Sequence, residues 1–307
     1  MIETMFDARK KPWEGLGAGV NGAVGAKEAL KLAGLDWKVL QEPLFTASGF
    51  EARGFKANVR DKDKQLLGVV TDRYKIVQNE DAFAFTDELL NQGVRYETAG
   101  SIQGGRKVWL LARLPQEYII GGERISPYLV FFNSHDGTAA VKVAITPIRV
   151  SCCNTLNLAL STAERTWSMN HTGDIDQKIE EARNTLFRAE KYMDELGKEI
   201  EVLKMRTVSD DEVMEYVELL LPMDENMTPH QRKNIKKLRE DMKNRYFDAP
   251  DLQQVGRNAY RFINAVSDFA THANPLRKTV NYRENLFART VEGNPLIDRA
   301  YQLVSAA

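Results

Sequence analysis

Only two of the 307 residues are cysteine, and they are neighbours, Cys152 and Cys153. A disulfide between adjacent residues strains the backbone, and two thiols fall short of a four-ligand zinc site. They read as free thiols that pack where a strand gives way to a helix. Histidine is scarce too: His135, His171, His230 and His272 lie far apart, and none has a histidine four residues along a helix. Hydrophobic runs are short. None approaches the roughly 18 apolar residues of a membrane span, and the opening Met-Ile-Glu-Thr-Met-Phe-Asp carries charge where a secretion signal needs an apolar run. A cytoplasmic protein with no membrane partner is expected. Neither sign of charge is in excess, with 42 Lys and Arg against 43 Asp and Glu, so any phosphate-binding surface must be a local cluster.

The motifs of common catalytic sites are also missing. There is no G-x-x-x-x-G-K-[ST] phosphate loop, no G-x-S-x-G elbow and no H-E-x-x-H pair. Gly17, Gly19 and Gly22 have the spacing of a dinucleotide site, but Arg9-Lys-Lys-Pro-Trp13 precedes them where a buried strand is required. They read as a flexible arm or a helix entry. His135-Asp136 reads as a turn-forming pair. No enzyme activity and no cofactor are expected, with a hydrolase or nuclease built from scattered carboxylates left as the exception.

What is present is an ordinary globular composition, 43% hydrophobic and 28% charged, enough for one large core or two smaller ones. Residues 1–35 read as a glycine-rich arm ending in a helix at Ala26 to Ala33. Residues 36–165 have the pattern of strands: Trp37 to Leu44, Gly54 to Arg60, Gln65 to Thr71, Lys107 to Leu114, Pro127 to Asn133 and Ala139 to Ile145. Asp61 to Lys64 and Ser134 to Gly137 read as hairpin turns, the second carrying Asp-Gly. Helices are expected at Asn79 to Asn91 and Asn154 to Ala163. Residues 166–307 read as a helical region. Ile175, Ile179, Ala182, Leu186, Ala189, Met193, Leu196, Ile200 and Leu203 alternate spacings of four and three, one stripe of a long helix. That seam is covered either by later helices or by a second copy in a homo-oligomer. Ser209-Asp-Asp-Glu212 and Thr228-Pro-His-Gln231 have capping-box spacing, and further helices are expected at Leu252 to His272 and Pro295 to Val304. The expected fold class is α+β: a mainly antiparallel sheet with helices in the N-terminal half, and an all-helical C-terminal half.

Two segments are more specific, Leu67-Gly-Val-Val-Thr-Asp-Arg-Tyr-Lys-Ile-Val-Gln-Asn79 and Thr146-Pro-Ile-Arg-Val-Ser-Cys-Cys-Asn-Thr-Leu-Asn-Leu158. Together with Pro12-Trp13 and the glycines after it, and with Gly293-Asn-Pro-Leu-Ile-Asp-Arg-Ala300, they resemble a phage/plasmid-like family filed as a domain of unknown function. The resemblance implies a phage or plasmid origin, hence a host cytoplasm, and carries no activity residue by residue. The residues themselves suggest a surface for an extended ligand. Phosphates are held by Lys and Arg, and unstacked bases by aromatic faces. Alternation sets Arg73 and Lys75 on one face of their segment and Tyr74 on the other, while Lys107 and Trp109 share a face. Lys56 and Arg60 mark the hairpin between, and Arg149 precedes a turn into the expected helix at Asn154. These eight residues are the candidate nucleic-acid site. The expected function is single-stranded DNA binding, with strand annealing in recombination or replication as its use. The alternative is a non-enzymatic interaction factor, an assembly factor or an inhibitor of a host defence protein.

Overall fold

The computed structural model describes residues 10–84, 86–151, 153–169, 171, 184–277 and 279–306. Among them the strands are β1 (Ala18–Gly19), β2 (Val39–Phe45), β3 (Glu51–Arg60), β4 (Leu66–Thr71), β5 (Arg95–Ile102), β6 (Lys107–Arg113), β7 (Tyr118–Ile120), β8 (Glu123–Ser134), β9 (Val141–Arg149) and β10 (Thr166–Met169). The helices are α1 (Ala26–Leu32), α2 (Asn79–Ala84), α3 (Thr86–Leu90), α4 (Thr185–Met205), α5 (Asp210–Leu220), α6 (Pro229–Asp248), α7 (Ala259–His272), α8 (Tyr282–Glu292) and α9 (Pro295–Ser305).

Side-chain alternation explains the main sheet. In β6, Val108, Leu110 and Ala112 enter one core while Trp109 and Leu111 enter another. Strand β8 divides Leu129 and Phe131 from Val130 and Phe132 in the same way, and β9 divides Val143 and Ile145 from Ala144 and Ile148. Both faces are therefore covered, which is why these strands read as nearly unbroken apolar runs. One face meets α1, α4, α7 and α9; the other meets Trp13 together with Phe287 and Val291 of α8. The strand order is β1-β5-β6-β8-β9-β10 with β7 beside β8, and every pairing is antiparallel.

The expected division into a sheet-bearing half and an all-helical half is overturned. Strand β10 lies beyond residue 165 and pairs with β9, with Trp167 opposite Val143. Four residues are too few to show a period, so Thr-Trp-Ser-Met could not be told from a loop. The strands also form two sheets, β2-β3-β4 standing apart as a second, three-stranded one. Strand β5 was not foreseen because it is rich in small and polar residues. A Cβ at Gly100 would lie 2.9 Å from the Gly17 backbone and 2.9 Å from the Trp109 ring, so this strand is thin where the arm crosses it. Gly17 is used the same way, with Ala99 O only 2.4 Å from where its Cβ would be, which gives the glycine spacing a packing role.

No helix forms at Asn154 to Ala163. The segment is extended and serves as a hydrogen-bonding strap between sheet and helices: Asn154 Nδ2 donates to Asn264 O at 3.3 Å, Asn157 Nδ2 donates to Thr290 O at 3.0 Å, and Ser267 Oγ donates to Thr155 O. A bridge between Thr155 and Ile148 completes it. Side-chain amides of the strap make the first two bonds, while backbone outside a helix keeps Thr155 O for Ser267 and lets Leu156 N donate to Pro147 O at 2.9 Å.

Both capping boxes are present. Ser209 and Glu212 exchange side-chain and backbone bonds at the start of α5, Thr228 and Gln231 do so at α6, and Pro229 occupies the first turn. In α4 the stripe residues Ala189, Met193, Leu196, Ile200 and Leu203 are buried, Leu186 is half-buried, and Ile175, Ile179 and Ala182 lie outside the described residues. The described stripe packs within the chain against β7, β9 and α7. Helix α4 also yields a stability test. A Cβ at Gly197 would meet Ile120 Cγ1 at 3.9 Å, an ordinary contact, so Gly197→Ala should raise stability by about 0.5–1 kcal/mol through helix propensity. Leu196→Ala should lower it by about 2–5 kcal/mol. Urea unfolding of both variants against the wild type gives the comparison.

Candidate nucleic-acid interface

The first specific segment and the Ser134–Gly137 turn meet in a polar hub beneath the three-stranded sheet. Gly68 of β4 lies so close to the turn that Asp136 Cα would be 2.5 Å from a Cβ placed there. Asn58 Nδ2 of β3 donates to His135 O at 2.7 Å, and Tyr74 OH donates to Ser134 O at 2.6 Å. The Tyr74 ring stacks on His171 with centroids 4.5 Å apart, and burial, then the charge of Asp136, pushes its hydroxyl pKa up. His135 Nε2 lies 2.7 Å from Asn79 Oδ1 while Asn79 Nδ2 donates to Leu35 O. The carboxamide is thus oriented so that its oxygen accepts, and the hydrogen belongs on Nε2 of the imidazole. Burial raises the Asp136 carboxyl but is more than offset: hydrogen bonds from Ser134 and Thr138, and the charge of Lys107, hold it below the usual range.

The eight candidate residues do not form one surface. Arg149 is fully buried, 0% exposed, with Nε donating to Glu123 Oε2 at 2.7 Å, Nη2 to Glu123 Oε1 and Nη1 to Asp251 Oδ2 at 3.0 Å. Tyr260 OH donates to the same Glu123 at 2.7 Å. A cation so placed ties the end of β9 to the helices and cannot meet a phosphate. Trp109 is equally buried, its ring 4.6 Å from that of Phe287, because β6 is an inner strand with both faces covered. Arg60 is tied to Asp63 by two bonds, Nε to Oδ1 at 2.8 Å and Nη2 to Oδ2 at 2.6 Å, and lies over Trp37. Lys107 is half-buried with Nζ 5.9 Å from the Phe132 ring centre. Tyr74 belongs to the hub, and the backbone of Lys75 exchanges bonds with His171 there while its side chain is exposed.

Lys56 and Arg73 remain, Lys56 in β3 and Arg73 in the turn two residues beyond the end of β4. In β3, Lys56 is opposite Pro43 and Val70, and Phe55 is opposite Thr71. Asp72 N donates to Gly54 O at 3.1 Å, which brings Arg73 beside the stretch Arg53 to Phe55. Among the described residues Arg53, Lys56 and Arg73 have no ion-pair partner, whereas the neighbouring Lys62 and Lys64 are paired with Asp36 and Glu42. The same end of the sheet exposes three aromatic rings: Phe45 at 58%, Phe50 at 73% and Phe55 at 51%. Register puts Phe55 on one face with Ala57, Val69 and Thr71, and Leu40, Val59 and Leu66 continue that face. Leu40, Leu66 and Val69 are exposed too.

Phe45, Phe50 and Arg53 were missed by sequence reasoning because residues 45–53 fall between the expected strands, and Phe55 was passed over inside the expected strand Gly54 to Arg60. A usable signal was there: Phe45 and Phe50 bracket Thr-Ala-Ser-Gly, a turn with large apolar residues at both ends and no partner run to bury them.

The hub makes stability depend on pH. Burial first, and then the charge of His171, drives the His135 pKa down from 6.5 to about 3. The unfolded chain therefore binds a proton that the folded one refuses. Stability from the neutral ring is complete above the unfolded pKa and falls as pH drops from there toward about 3, by about 1.4 kcal/mol per pH unit from this group. Urea midpoints between about pH 6 and about pH 4 should drop less steeply for His135→Gln than for the wild type; parallel slopes would show that this imidazole is not held neutral.

No curated protein and no solved structure matches the chain. A family model described as "Domain of unknown function (DUF932)" matches residues 66–294, a span that starts with β4 and contains Tyr74, Asn79 and the Ser134–Gly137 turn of the hub, the buried Arg149 and the strap after it, with Asn58 of the hub lying before it. With more than half of its length matched, both specific segments included, the chain belongs to the DUF932 family.

Proposed function

We propose that the protein binds single-stranded nucleic acid on the three-stranded sheet, as a phage- or plasmid-type accessory whose use is the annealing of strands in recombination or replication. The observation that carries this reading is the placement of Phe45, Phe50 and Phe55, all more than half exposed, beside the cations Arg53 and Arg73, unpaired among the described residues, while alternation turns Lys56 to the opposite face with Asn58 and Val70. Large exposed rings cost free energy in water, and base stacking is an occupant that repays it at about 1–3 kcal/mol per base. Phe50 and Phe55 are five residues apart, at most about 17 Å along an extended chain, a reach suited to a few consecutive nucleotides.

Magnitudes decide which contact dominates. Glu51 and Asp72 share this end of the sheet with Arg53 and Arg73, so two carboxylates stand against two cations and no positive charge is left in excess. Stacking therefore supplies the larger part of the affinity and phosphate contacts the smaller. Such a surface tolerates many sequences, because every base presents a π face.

The second reading, a protein-interaction factor, is favoured by Leu40, Leu66 and Val69, which continue the same face with aliphatic rather than aromatic surface. One experiment separates the two. Fluorescence anisotropy with a short labelled oligothymidine across a salt series should show binding by the wild type. Phe50→Ala with Phe55→Ala should weaken it by about 10- to 100-fold or more, with little change in salt dependence. The double change Arg53→Ala and Arg73→Ala should instead lower the salt slope by about 0.7 per contact, about 1.4 in all. Mixing complementary oligonucleotides should show faster pairing with the wild type than without protein. Absence of single-strand binding by a folded wild type would leave the interaction-factor reading.

A further inference from the structure

Helix α6 concentrates cations that the proposed single-strand surface does not use. Its twenty residues contain Arg232, Lys233, Lys236, Lys237, Arg239, Lys243 and Arg245. The two cation types are put to different work. Each arginine is committed to the fold: Arg232 Nη2 donates to Glu225 O at 2.6 Å, Arg239 Nε donates to Leu221 O at 2.9 Å, and Arg245 Nη1 donates to the buried Asp268 at 2.5 Å. The lysines are committed to nothing. Lys233, Lys236 and Lys237 are exposed, Lys243 is half-buried, and among the described residues none of the four has an ion-pair partner.

Helical geometry places these four on one face. At about 100° per residue they fall within an arc of about 120°, opposite the inward side that carries Leu238, Met242 and Tyr246. Glu240 is the one carboxylate on that arc, so the face has an excess of three positive charges. From Lys233 to Lys243 the helix rises about 15 Å. That length spans about four steps of a nucleic-acid strand at roughly 3.4 Å each.

Between Lys233 and Lys243 the face has no aromatic residue, and Phe247 one turn further on is half-buried against Tyr246 and Arg257, which separates this face from the three-stranded sheet. A surface that offers charge without stacking recognises phosphates and gains nothing from unpaired bases. Duplex, with its bases hidden and its phosphates dense, is the form of nucleic acid that such a face fits best. We propose that the lysine face of α6 is a second site, which binds the backbone of duplex nucleic acid. The inference rests on the reading that this protein handles nucleic acid, and it adds a place for the paired product of annealing.

The test uses the full chain, a labelled duplex of about 20 base pairs and a labelled oligothymidine, each titrated across a salt series. Lys233, Lys236, Lys237 and Lys243 all changed to Ala should weaken duplex binding by about tenfold or more at low salt and lower its slope by up to about 0.9 per lost contact. Oligothymidine affinity should stay within about twofold. The same four positions changed to Arg should keep duplex binding, since the positive charge is retained, and circular dichroism of both variants should match the wild type. The variant with Phe50→Ala and Phe55→Ala should show the opposite pattern, losing oligothymidine and keeping duplex. Duplex affinity unchanged in the alanine variant would overturn the second site. Equal loss of both ligands in that variant would also overturn it, by showing one shared surface. Binding of polyglutamate but not duplex to the wild type would overturn it in favour of an acidic protein partner. If oligothymidine binding survives the phenylalanine changes while duplex binding follows the lysines, the earlier proposal fails and this one stands.

Discussion

The close approach of Asp136 to Gly68 is the contact on which the rest of the candidate interface depends. With 2.5 Å between Asp136 Cα and the place where a Cβ would stand, no side chain larger than hydrogen fits at residue 68 without a shift of backbone. The turn from Ser134 to Gly137 can therefore lie flat against the inner face of the three-stranded sheet. Asn58 then reaches His135 O, Tyr74 reaches Ser134 O, and Gly137 meets Val70. Because the inner face is occupied in this way, the outer face with Phe55, Leu66 and Val69 is the one left to solvent. A small sheet alone is marginal in water, so its order is borrowed from the larger one through this turn.

Much of the fold was legible where local chemistry acts alone. The capping boxes at Ser209 and Thr228 are spelled out within four residues, and the hairpins at Asp61 and Ser134 by their turn residues. The strands β6, β8 and β9 announced themselves through branched and aromatic side chains. What was illegible depends on distant partners. Strand β5 has small residues because Gly17 and Trp109 press on it, and the strap from Asn154 is extended because Asn264, Ser267 and Thr290 wait for its polar groups. Its local pattern, Asn-Thr-Leu-Asn-Leu, fits a helix start as well as a strap.

The candidate site shows the same division in terms of charge. A sequence shows that Arg149 is a cation but not that Glu123 and Asp251 stand within 3.0 Å of it. Arg165 is a parallel case: it lies buried and donates to Ile145 O, Thr290 O and Val291 O, joining β9 to α8 as a polar bolt. Removing Glu123 or Asp251 would leave the buried charge of Arg149 short of a partner, and Arg165 is held by three carbonyls, so both arginines are fixed by the fold rather than available to a ligand. The basic residues that remain available are those whose neighbours in space are apolar or absent, and Arg53, Lys56 and Arg73 are recognisable only after the pairings of Lys62 and Lys64 are known.

A chain with net charge −1 can still present a basic face on α6 because its carboxylates are spent unevenly. Glu123 and Asp251 neutralise Arg149, Asp241 and Asp268 neutralise Arg245, and Asp63 neutralises Arg60. Two of these three groups spend two carboxylates on one cation, so more negative than positive charge is tied up inside the fold. The lysines on α6 are the complement of that pattern: arginine, with its planar fork, is the better partner for carboxylates and carbonyls inside the fold, while lysine extends a compact charge into water. Aromatic rings without stacking partners at one surface and lysines without carboxylates at another offer different chemistry to the same polymer. A strand whose bases are exposed is favoured by the first, and one whose bases are already paired by the second. The direction of transfer between the two surfaces would then follow from base pairing itself, since pairing removes the faces on which the phenylalanines act and leaves the phosphates on which the lysines act.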